Sequence, residues 1–187
     1  MAKEGFAVWI TGLPASGKST LAAALSRALE DLGVEAAILE SDALRKVFTP
    51  NPRYDDEERE VFYASMAHVG RILTRHGVPV IFDATANRRA YRDRAREAIP
   101  KFLEVHVSCP LAVCVARDPK GIYRKGSRGE AGRVPGLQVD YEPPLRPDVE
   151  IPGDREAPDE GARRVIAALR DKGYLATPRR RRGGEPR

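Results

Sequence analysis

Short apolar, β-branched blocks alternate along this chain with longer stretches whose leucines and alanines recur at helical spacing. "FAVWITG", residues 6–12, reads as a buried strand. "KSTLAAALSRALEDLG" follows as a helix, with Gly33 as its C-terminal stop. "VEAAILES" reads as a second strand. From Asp42 to about Glu60 charges are mixed, and Pro50 and Pro52 break the stretch into a loop, with a helix start near Ala43. Residues 55–76 are again helical and end at Gly77. "VPVIFD" is a third strand, "RRAYRDRAREAI" a helix, and "FLEVHVSC" a fourth strand. "PLAVCVARD" opens a helix with Pro110 at its start. "DVEI" and "PDEGARRVIAALRDKG" supply a last strand and a last helix.

Strands alternating with helices predict an α/β fold, a parallel sheet with helices on both faces. The chain of 187 residues suits one domain. Its expected limits are residues 1–177. Glycine, proline and basic residues crowd between Pro119 and Pro147, which marks that segment as a mobile lid.

Composition changes this picture little. A hydrophobic share of 42% and a charged share of 32% describe an ordinary globule. No apolar run reaches the roughly 18 residues of a membrane span, and the N-terminus lacks a signal-peptide core. Cys109 and Cys114 fit no metal-site spacing and read as reduced thiols, so a cytoplasmic location is expected. The net charge is +5, but +4 of it lies in residues 178–187, which hold five arginines and one glutamate. That basic segment reads as a disordered, solvated tail. With the remainder at +1, a dedicated nucleic-acid binder is not expected.

"GLPASGKST", residues 12–20, changes the picture most. It matches G-x-x-x-x-G-K-[ST] between a strand and a helix, the context that the phosphate-binding loop requires. Gly12 and Gly17 let backbone N–H groups turn inward onto phosphate oxygens, and the following helix adds the positive end of its dipole. The ATP-binding set is therefore Gly12, Ala15, Ser16, Gly17, Lys18, Ser19 and Thr20. Lys18 bridges β- and γ-phosphates, and Ser19 donates its hydroxyl oxygen to Mg²⁺. The fold expected is thus of the P-loop NTPase type. The guanine signature N-K-x-D is absent, which leaves a kinase ahead of a GTP switch.

The second strand ends in Glu40-Ser41-Asp42, at the sheet edge where ligands gather. Asp42 is either the catalytic base and a metal ligand or a helix cap. "VIFDATANRR" delivers Asp83 to the same edge, either as a carboxylate for metal-bound water or as an N-cap or turn residue, with Arg88 and Arg89 behind it. One of those arginines is expected to face the acceptor's anion.

"ARDPKGIY" (116–123), "YEPPLRPDVEI" (141–151) and "KGYL" (172–175) make the chain resemble the adenylylsulfate kinases. These use MgATP to phosphorylate the 3′-hydroxyl of adenosine 5′-phosphosulfate (APS). The resemblance covers residues 6–175 and implies specific roles. Asp42 would lie near Mg²⁺ and the acceptor hydroxyl, with Arg45 and Arg59 holding APS. Tyr54 would stack on the APS adenine, and Arg117 would pack on the ATP adenine. Lys120 would be the lid lysine, on the substrate side. Phe62 stands where the family has an asparagine, and Val134 where it has a second aromatic. The expectation is that Phe62 supplies the stacking surface that Val134 lacks. Ala86 replaces a family serine. "DATANRR" is also similar to D-A-T-x-x-R segments of other small P-loop kinases. The alternatives are therefore a kinase acting on a polynucleotide 5′-hydroxyl or a small metabolite, and a non-catalytic nucleotide-binding module. The sequence does not give the oligomeric state; a homodimer is the assembly considered.

Overall fold

The computed structural model describes residues 4–130 and 132–176; the expected basic tail lies outside the described residues. Five strands and seven helices are described, in the order β1 (Ala7–Thr11), α1 (Lys18–Glu30), β2 (Ala37–Glu40), α2 (Ser41–Phe48), α3 (Asp56–Arg75), β3 (Val80–Asp83), α4 (Arg89–Ala98), β4 (Phe102–Ser108), α5 (Leu111–Arg117), α6 (Ile122–Ser127), β5 (Val149–Pro152) and α7 (Pro158–Asp171). The sheet order is β2-β3-β1-β4-β5, with every pairing parallel.

Side chains alternate across a strand, and β1 divides accordingly. Val8 and Ile10 face one layer, where Leu21, Leu25 and Leu29 of α1 meet Val165 and Leu169 of α7. Ala7 and Trp9 face the other, against Phe62, Tyr63 and Met66 of α3 and Tyr91 of α4. Trp9 stacks on Phe82 with ring centroids 4.5 Å apart. Burial on both faces explains why the central strands read as unbroken apolar runs. The same register sets Ile10 beside Asp83, so β1 and β3 end together at one edge. Among the described residues, no helix is long and apolar enough to cross a membrane.

Two stretches differ from expectation. Residues 41–48 form a helix that starts directly after β2, and only the stretch around Pro50 and Pro52 is irregular. This helix buries Arg45 and leaves Val47 and Phe48 exposed, so its polar and apolar positions do not follow the usual pattern. The segment from Pro119 to Pro147 contains α6, whose N–H groups at Tyr123 and Arg124 are received by the Asp118 carboxylate at 3.2 and 3.0 Å.

Candidate active site

The loop between β1 and α1 wraps as its glycines dictate. Gly12 has φ 153°, and a Cβ there would sit 2.5 Å from the Val107 carbonyl oxygen. Gly17 takes the left-handed conformation at the start of α1, and Ala15 also has a positive φ of 61°. Gly12 and Ser16 do not line the chamber that this loop borders, and the buried Ser16 hydroxyl is unpaired among the described residues. Lys18 is buried and donates to the Leu13 carbonyl at 2.9 Å, folding back over the loop. Burial lowers its pKa; Asp83 and then Asp42 pull the other way. Burial likewise raises the Asp83 pKa, against a hydrogen bond from Ser19 and the charge of Lys18.

Two chambers open on this edge of the sheet. The first, of about 440 Å³, is walled by Ala15, Gly17, Lys18, Ser19 and Thr20 with Asp42, Asp83 and Arg117. The second, of about 460 Å³, is walled by Arg45, Arg53, Tyr54, Arg59, Lys125 and Arg133, with Glu130 as its carboxylate apart from the shared Asp42. Pro14, Ser41, Asp42, Thr85, Lys120 and Ile122 belong to both walls. These six residues form a seam between a phosphate cradle and a cationic chamber.

The structure brings most of the expected residues together here. Asp42 sits within the first turn of α2, and the cap position is Glu40, so the capping alternative does not describe Asp42. Its carboxylate accepts from Lys120 Nζ at 2.6 Å, and Glu40 lies 3.6 Å from the same amine. That hydrogen bond raises the Lys120 pKa. Asp83 ends β3 well ahead of α4, beside Ser19 and Lys18, and is no helix cap. Arg117 donates to the Gly153 carbonyl at 2.9 Å and borders a further cavity formed with Asp154 and Arg155. Tyr54 holds a left-handed φ of 56°, with its ring 5.0 Å from the Arg45 guanidinium.

Three expectations need correction. Phe62 reaches neither chamber; it is 1% exposed and lies beneath Arg45, whose guanidinium is 3.9 Å from its ring centre. It is a platform for an arginine, so it offers no stacking face to a ligand. Arg88 and Arg89 also stay outside both chambers, held by Asp56 and Glu142 on the surface. Arg59 lines the second chamber, but its donors go to the Tyr54 carbonyl, Asn87 Oδ1 and the Arg133 carbonyl. It ties three segments together, and its burial lowers its pKa.

Sequence reasoning missed Glu58 and Thr85. Glu58 pairs with Arg45 at 3.0 Å, both nearly buried, and accepts from the N–H groups of Arg53 and Tyr54. An available signal was Asp55-x-x-Glu58, the spacing of a capping box. Only the Asp55 half forms, accepting from Glu58 N at 2.8 Å, while the Glu58 carboxylate turns to Arg45, Arg53 and Tyr54. Nothing in the spacing marks Thr85 as a seam residue.

The fold and the cradle define a P-loop kinase. Residues 4–152 match the adenylylsulphate kinase family, and the chain belongs to that family. It is 39% identical to the probable adenylyl-sulfate kinase of Pyrococcus abyssi, over 92% of this chain and 99% of that one. It is 36% identical to the adenylyl-sulfate kinase of Rippkaea orientalis, over 95% and 98% of the two chains. Its fold is similar to that of the Mycobacterium tuberculosis APS kinase in complex with AMPPNP and APS. That match has a TM-score of 0.84 and 32% identity, covering 89% of this chain and 98% of that one.

Proposed function

We propose that this protein phosphorylates the 3′-hydroxyl of APS with ATP, giving 3′-phosphoadenosine 5′-phosphosulfate. The observation that carries the reading is the seam: a phosphate cradle and an arginine-lined chamber of similar volume share Asp42, Thr85 and Lys120. Family membership supplies the donor and acceptor that such a pair of chambers would take.

In this reading the cradle N–H groups and Lys18 hold the ATP phosphates, and Arg117 lies against the adenine. Arg45 and its neighbours attract the phosphosulfate anion. Asp42 accepts the proton of the attacking hydroxyl as the new P–O bond forms and the bond to the ADP leaving group breaks. Lys120 holds that carboxylate in place until the ligands arrive. Both side chains are half exposed, so the pair yields at little cost. The segment 119–147 acts as a lid that keeps water from the donor.

A divalent cation fits the same wall. Ser19, Asp83 and Asp42 line the same chamber, an all-oxygen set suited to Mg²⁺. Bound there, Mg²⁺ would neutralise charge on the donor phosphates. A cytoplasmic location belongs to this reading, supported by the free thiols Cys109 and Cys114.

The test is positional. With γ-labelled ATP and APS, the label should enter APS in a form that a 3′-nucleotidase removes. Asp42→Asn should stop that transfer while ATP still binds. Label resistant to the 3′-nucleotidase, or transfer undiminished in Asp42→Asn, would contradict the assignment.

A further inference from the structure

The turn after β3 is held unusually firmly. The Ala84 carbonyl accepts from Trp9 Nε1 at 3.2 Å, and the Thr85 carbonyl accepts from Thr11 Oγ1 at 2.6 Å. Thr11 Oγ1 is itself 3.1 Å from the Tyr141 hydroxyl. The Ala86 N–H donates to the Tyr63 hydroxyl at 3.2 Å, and the Ala86 carbonyl accepts from the buried Arg92. Asn87 is fixed at both side-chain ends, by Arg59 and by the Asp140 carbonyl. Alanines 84 and 86, on either side of Thr85, are fully buried.

Within this locked turn one polar group is left over. Among the described residues, the Thr85 hydroxyl makes no hydrogen bond within the chain, while its own carbonyl is already satisfied by Thr11. Thr85 is only partly buried and lines both chambers, together with Asp42 and Lys120. A rigid backbone thus presents a free hydroxyl where donor and acceptor must meet; Ser41 supplies the seam's other hydroxyl, from the start of α2 and outside this locked turn. A residue that served only to fill the turn would need no hydroxyl, and valine has the same shape.

We propose that Thr85 is a catalytic residue that binds the acceptor. Its hydroxyl donates a hydrogen bond to the oxygen that attacks the γ-phosphorus, turning a lone pair of that oxygen toward the first chamber. Asp42 receives that oxygen's proton. Because the turn is fixed before ligands bind, this orientation carries little reorganisation cost, and its loss falls mainly on turnover.

The inference rests on the kinase reading, and the experiment separates the two. Wild type, Thr85→Val and Thr85→Ser are compared at saturating MgATP, with whichever acceptor the wild type phosphorylates and with no acceptor. Thr85→Val should lower kcat for transfer about tenfold, the scale of one well-placed hydrogen bond. Its melting temperature and its KM for ATP should stay near the wild-type values, the rate without acceptor being subtracted as background in each variant. Thr85→Ser should recover transfer to within about threefold of wild type. Equal transfer by Thr85→Val and wild type would overturn the inference. So would a Thr85→Ser variant as impaired as Thr85→Val, because shape and not the hydroxyl would then matter. A wild type that phosphorylates a different acceptor overturns the choice of APS alone, since the variant comparison on that acceptor still decides the role of Thr85.

Discussion

Arg45 is the residue on which the second chamber turns. Its guanidinium lies 3.9 Å over Phe62, 5.0 Å from Tyr54 and 5.7 Å from Tyr63, and its Nη1 is held by Glu58. A long, rotamer-rich side chain is thereby fixed before any anion arrives, which removes much of the entropy cost of using it. Sequence placed Arg45 and Phe62 near the acceptor but could not orient them. Their meeting depends on how α2 crosses α3, which neither helix specifies alone. Phe62→Leu keeps an apolar side chain of somewhat smaller volume and removes the π face. It should raise the KM for APS roughly 3- to 30-fold, the range of a partly desolvated cation–π contact. The kcat and the KM for ATP should change by less than about twofold. Steady-state kinetics with each substrate varied in turn makes the check, and an unchanged KM for APS would remove Phe62 from this role.

At the scale of elements, legibility followed sequence distance. The strand, loop and helix that make the cradle are contiguous in residues 7–30, so motif and periodicity located them together. The strands were also readable, because burial on both faces leaves continuous apolar runs. The ion pairs linking elements were not. Arg88 and Arg89 looked available for the acceptor, yet each finds a carboxylate on another segment. Asp148, just before β5, is a further such link. It accepts from the Glu104 N–H at 2.7 Å and from Lys172 at 2.8 Å, with Arg96 at 3.4 Å. Burial alone would raise its pKa, but these partners outweigh burial and hold it below the usual carboxylate value. The folded state therefore binds fewer protons than the unfolded chain around that pH. This stability is present above the ordinary carboxylate pKa and is lost as pH falls through the depressed one. Asp148→Asn should lower the melting temperature at pH 7, and the gap from wild type should narrow as the pH is lowered below about 4. Thermal melts across that range test this; a gap independent of pH would mean the ionised pairs contribute nothing.

The whole molecule resolves into a rigid sheet edge with two chambers and a segment that spans them. From Pro119 onward the chain supplies Lys120 and Ile122 to the seam. Tyr123 donates to the Pro14 carbonyl at 3.0 Å, and Arg133 offers its carbonyl to Arg59. One segment thus touches the cradle, the Asp42 carboxylate and the cationic chamber. On the proposed reading, that arrangement would tie ATP turnover to occupancy of the second chamber, because water must be excluded for transfer to prevail. The most direct measurement is ADP release from MgATP with APS, with a 5′-hydroxyl oligonucleotide, and with no acceptor. Rapid release with APS alone, and slow release in the other two arms, is the predicted result. Equal release in all three arms, or acceleration by the oligonucleotide alone, would contradict an APS kinase with its acceptor bound across the Asp42 seam.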